Sequence, residues 1–111
     1  MEKFTHYYME HSKQMRITLL PDFMQEDWPS VVSFYKPKIE EGILNWELDL
    51  TRLSFISSIS IGQLVVLNTS VRAYSGKFTL ILSNESPVTN QIRFARLNEI
   101  ISCNFVEQES A

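Results

Sequence analysis

Asp49-Leu50-Thr51-Arg52-Leu53-Ser54-Phe55-Ile56-Ser57-Ser58-Ile59-Ser60-Ile61-Gly62-Gln63-Leu64 is the stretch of the 111-residue chain whose reading decides its fold. Just before and into it, Leu44, Trp46, Leu48 and Leu50 alternate with Asn45, Glu47 and Asp49. A period of two puts one set on each face of a β-strand. At its far end Ile61, Leu64, Val65, Leu67, Asn68, Val71 and Tyr74 recur at helical spacing, which predicts a helix. Ser60-Ile61-Gly62-Gln63 has the form of a capping box, so Ser60 is expected to cap that helix, with Ser57 and Ser58 exposed just before it. Gly62 is read as permitting close helix packing. The helix should stop at Ser75-Gly76, where Gly76 can take the left-handed conformation.

Working outward, Phe4 to Met9 and Met15 to Leu20 are two runs rich in aromatic and branched residues, separated by Glu10, His11, Ser12 and Lys13. They predict an antiparallel hairpin. Trp28, Val31, Val32 and Tyr35 mark a helix within Gln25 to Tyr35, with Pro29 in its first turn and Pro37 ending or bending it. Downstream, Phe78, Leu80 and Leu82 alternate in a strand from Lys77 to Leu82. Ser86 can cap a helix that has Pro87 at its first position and runs to Leu97. Ile100 to Val106 forms a last strand, and Glu107 to Ala111 a polar tail. Helices between the later strands supply the crossovers that parallel neighbours require. The expectation is a single α/β domain over residues 1–106, with a mixed, mostly parallel sheet of four to five strands, about three main helices, and a tail at 107–111.

The central stretch also resembles the signature of STAS domains, the fold of bacterial anti-sigma factor antagonists. In that family a strand ends in Asp-Leu-Ser/Thr, a short connection carries an aromatic or aliphatic pair, and Asp-Ser-Ser/Thr-Gly-x-Gly opens a helix. Asp49, Leu50, Thr51, Phe55, Ile56, Ser58 and Gly62 fit that register. The similarity continues through Tyr74-Ser75-Gly76-Lys77, Asn84, Ser86-Pro87-Val88 and Leu97-Asn98-Glu99-Ile100, covering roughly the C-terminal two thirds of the chain. Ser57 stands where the family usually has an acid, and Ile59 and Ser60 where it has small residues.

The resemblance implies a non-enzymatic signalling protein that regulates transcription by partner switching. It would bind a serine kinase acting as anti-sigma factor, release it when Ser58 (alternatively Ser57) is phosphorylated, and be reset by a serine phosphatase. The implied partner surface is Asp49, Ser57, Ser58, Ile59, Ser60, Ile61 and Gly62. The chemistry suits the place: a phosphoryl group adds about -1.5 to -2 charges, and a helix N-terminus offers free N–H donors and positive potential. Asp49 reads equally well as an Asx turn at a strand end. The alternative function is a constitutive, unphosphorylated STAS adaptor in a signalling scaffold or lipid-transport complex. A small-ligand sensor is a third reading, and a homodimer is left open.

Composition narrows the field further. A net charge of -3 gives no general attraction to nucleic acid or anionic membranes. Cys103 is the only cysteine and cannot close an intramolecular disulfide, which fits a reducing compartment. No apolar run approaches the roughly 20 residues of a membrane span, and MEKFTHYYMEHSK lacks the apolar core of a signal peptide, so a cytoplasmic protein is expected. His6, His11 and Cys103 do not have metal-site spacing, and Glu26, Asp27, Glu40 and Glu41 read as solvated charges. No catalytic residue, metal or cofactor is expected. Arg93 and Arg96 read as a small solvated basic pair on the last helix, and Trp28 and Trp46 as core.

Overall fold

The alternating runs become five strands in a computed structural model that describes residues 2–107. They are β1 (Phe4–Met9), β2 (Gln14–Leu19), β3 (Asn45–Asp49), β4 (Lys77–Ser83) and β5 (Ser102–Val106), joined in one sheet in the order β1-β2-β3-β4-β5. β1 and β2 form the antiparallel hairpin, and every later pair is parallel. The register lines up Met15, Trp46 and Phe78, then Ile17, Leu48, Leu80 and Cys103, so that each apolar set falls on one face.

That face carries the core. Met15, Ile17, Leu19, Trp46, Leu48, Phe78, Leu80 and Leu82 cluster with the buried stripes of three helices, α1 (Trp28–Glu40), α2 (Ser58–Ala73) and α3 (Pro87–Phe94). The helices contribute Trp28, Val31, Tyr35 and Ile39, then Leu64, Leu67 and Val71, then Val88 and Ile92. Burying each such side chain is worth about 1.5–3 kcal/mol, which is why these stripes fix the layer order. On the opposite face Arg16, Asn45, Glu47, Asp49, Lys77, Thr79, Ser102 and Asn104 stay half-buried or exposed. There Arg16 Nη2 meets Glu47 Oε1 at 2.8 Å across β2 and β3.

Two helix ends and one left-handed cap residue differ from the sequence expectation, each for a local reason. α1 runs through Pro37 to Glu40. Pro37 lies on the exposed side above the exposed Ser33, so water can replace the lost bond, and continuing the helix adds Ile39 to the buried stripe. At the end of α2 the left-handed residue is Ser75, with φ 62°, and not Gly76. Gly76 is required for close approach: a Cβ there would run into the Leu44 carbonyl and come within 2.7 Å of Val71 Cγ1. It sits at a hydrogen-bonded junction, where Gly76 N donates to Val71 O and Lys77 N to Leu44 O. α3 stops at Phe94, not Leu97, because Arg96 takes φ 60° and swings a 3-10 turn, Leu97–Glu99, inward. This buries Leu97 and Ile101, and β5 starts at Ser102 rather than Ile100. Of the predicted tail, Glu107 is exposed and 108–111 lie outside the described residues.

Candidate functional site

β3 ends in a turn closed by its own last residue. Asp49 Oδ1 accepts from Thr51 N at 2.8 Å and from Thr51 Oγ1 at 2.6 Å, the Asx geometry. The chain then runs to α2 on three buried anchors, Leu50, Leu53 and Ile56. Between the anchors Arg52, Ser54 and Phe55 face solvent, and Phe55 is 68% exposed. Ile56 is held from a second element: Gln91 of α3 donates from Nε2 to Ile56 O at 2.7 Å and accepts from Ile56 N at Oε1 at 3.1 Å. One side-chain amide thus satisfies both backbone groups of one loop residue.

Beyond Ile56 the helix starts earlier than its capping box suggests. Ser57 is the N-cap, its Oγ accepting from Ser60 N at 3.1 Å and donating to Ser60 Oγ at 3.2 Å. Ser60 is therefore inside the first turn and buried, not the cap. The reason is Trp28: its indole is buried and needs an acceptor, and Nε1 donates to Ser60 Oγ at 2.8 Å. With Ser57 capping Ser60 N and Ile61 N bonded to Ser57 O at 3.0 Å, the first-turn N–H groups of Ser58 and Ile59 are left without intrahelical acceptors. No acidic side chain lies in that turn.

The sequence-predicted surface residues separate by exposure. Ser58, Ile59 and Gly62 are exposed, Asp49, Ser57 and Ile61 are half-buried, and Ser60 is turned into the core. Gly62 does not serve close packing, since a Cβ on it would meet nothing within 4 Å. Beside this helix end a groove of about 380 Å³ runs between the 50–57 connection and the segment after β2, lined by Met24, Trp28, Leu53, Phe55 and Ser57 among others. Met24 and Phe55, both more than half exposed, make its rim apolar.

Gln91 is the residue sequence reasoning missed. Its one trace was a polar side chain beside the periodic Ile92, which says nothing of its partner. The expected basic pair also divides: Arg93 lies over the Phe105 ring at 4.8 Å, while Arg96, beyond the end of α3, pairs with Glu99 at 3.5 Å. Burial pushes the Cys103 thiol up, with Arg93 opposing. Among the described residues no group of His, Cys, Asp and Glu could hold a metal ion, and no helix is long and apolar enough to cross a membrane.

No protein-family model matches the chain, and no curated protein does. Among solved structures, a Thermotoga maritima protein provisionally assigned as an anti-sigma factor antagonist matches with a TM-score of 0.75. The match covers 93% of this chain and 86% of that one at 18% identity. The chain has the anti-sigma antagonist fold.

Proposed function

We propose that the protein is a non-enzymatic partner-switching component whose binding surface is the exposed start of α2, controlled by phosphorylation of Ser58. Its partners would be a serine kinase that doubles as an anti-sigma factor and a serine phosphatase that resets it. The observation that carries this is the state of Ser58: an exposed hydroxyl at the first helical position, next to two N–H groups with no intrahelical acceptor. A phosphoryl group placed there is stabilised by those donors and by the positive end of the helix, so the domain keeps its fold while the surface changes charge. Ser57 is the poorer acceptor, because its Oγ is already committed to Ser60. As a neutral N-cap Ser57 also does the structural work an aspartate could do at that position. Exposed Phe55 and Ile59 supply an apolar contact area that such a charge would interrupt.

The test is to incubate the protein with ATP and its candidate kinase and weigh the products. Wild type and Ser57→Ala should each gain one phosphate and Ser58→Ala none. No phosphate on wild type, or equal labelling of Ser58→Ala, overturns the switch. The exposed apolar rim of Met24 and Phe55 equally suits a constitutive adaptor. That second reading is favoured if Ser58→Asp leaves capture of the natural partner unchanged.

A further inference from the structure

Among the described residues no strand pairs with the outer edge of β1, and its backbone can be read for what it would pair with. Leu20 N donates to Lys3 O at 2.9 Å, and the register continues as Phe4 with Leu19, His6 with Ile17 and Tyr8 with Met15. Antiparallel pairs alternate between hydrogen-bonded and open. Lys3, Thr5, Tyr7 and Met9 therefore direct their N–H and C=O toward β2, and Phe4, His6 and Tyr8 direct theirs to the free edge. The strand contains no Asp, Glu, Lys, Arg or Pro, the residues that usually block edge pairing, and Tyr7 is 67% exposed. In a chain of net charge -3, the strand from Phe4 to Met9 itself brings no carboxylate or ammonium group to such a seam, and Glu2 and Glu10 lie beyond its ends.

From this phase and neutrality we infer that two copies of the chain join antiparallel through β1, with His6 facing His6 of the partner subunit across a two-fold axis. That register sets Phe4 opposite the partner's Tyr8 and Tyr8 opposite the partner's Phe4, so every outward N–H and C=O of the strand is paired. Moving the axis to Tyr7 would set Phe4 against the turn residue Glu10 and lose two of those bonds. Faces match as well, since Phe4, His6 and Tyr8 all lie on the helix side, opposite the buried Leu19, Ile17 and Met15. There a groove of about 370 Å³, lined by Phe4, His6, Ser30 and Phe34 among others, lies where the partner's Tyr8 ring arrives. Each His6 ring stays stacked on its own Phe34, 4.2 Å between centroids. The two sheets run on as one, an isologous arrangement that closes the β1 edge of each copy.

Sedimentation velocity on the whole chain tests this, with variants that read the register. Wild type should form a dimer at concentrations up to about 100 µM, the range of modest interfaces. His6→Pro deletes an outward N–H and leaves the bonds to β2 in place, so it should weaken the dimer by about tenfold or more while circular dichroism stays unchanged. In a Cys103→Ser background, His6→Cys should oxidise to a covalent dimer, since opposed hydrogen-bonded residues lie about 5.5 Å apart, within disulfide reach. Tyr8→Cys, facing Phe4 and not itself, should not. A monomeric wild type, or cross-linking of Tyr8→Cys in place of His6→Cys, overturns the inference whatever the fate of His6→Pro.

Discussion

α2 and α3 begin with the same capping device and part at the first helical residue. Ser57 and Ser86 each accept from the N–H three residues on at 3.1 Å, and each shares a hydrogen bond with the hydroxyl at that position, Ser60 or Thr89. Ile61 N and Asn90 N then bond back to the cap carbonyl at 3.0 Å in both helices. The first helical residue separates them: Ser58 in α2, Pro87 in α3. Proline removes one of the free N–H donors and offers no hydroxyl, so the start of α3 is closed chemically. The start of α2 keeps two donors and an exposed hydroxyl. The anchoring of the third-position hydroxyls differs too, since Ser60 accepts from the Trp28 indole and Thr89 donates to the Ser83 carbonyl.

The largest test of this contrast is at those anchors. Trp28→Ala removes a buried ring and the donor that holds Ser60, and should cost about 3–5 kcal/mol in urea unfolding. Thr89→Val, which strips the donor from the buried Ser83 carbonyl and the acceptor from the Ser86 hydroxyl, should cost about 1–3 kcal/mol. Equal losses would mean the two caps are anchored alike. Next, Gln91→Leu frees both backbone groups of Ile56 and should lose about 1–3 kcal/mol, with faster proteolysis between residues 52 and 57 and little change around α3. Ser57→Ala and Ser86→Ala should each lose about 1 kcal/mol; a clear inequality would show that the shared geometry hides unequal caps. The smallest effect is expected from Ser58→Asp, which should add about 0.3–1 kcal/mol by placing a carboxylate at the helix start. A helix start depresses the carboxyl's folded pKa, so this gain is present at neutral pH and fades as pH falls below about 4.

The order of elements along the chain and the three helices were legible because alternation and helical spacing report burial directly, as Leu44 to Leu50 and Ile61 to Val71 do. What stayed hidden depends on partners distant in sequence. Ser60 reads as a cap until Trp28, 32 residues away, claims its hydroxyl, and only then does Ser57 become the cap. Gln91 and Ile56 are 35 residues apart, and nothing local links them. Pro37 predicts an interruption from its own chemistry, but the outcome was decided by its exposure and by Ile39 behind it. At the candidate site, the exposure of Ser58 near a helix start was legible, but its place as the first helical residue was not. Nor was its separation in exposure from Ser60, because neighbouring serines differ only in which way the first turn rotates them.

Gly76 carries a different kind of consequence. A methyl group there would strike the Leu44 carbonyl at the point where α2 hands the chain to β4, and neither backbone has room to give. Any missense change in its codon would therefore be selected against at the level of soluble yield, regardless of what the protein binds. A screen for poorly expressed mutants should return this codon repeatedly and the exposed Gly62 codon seldom.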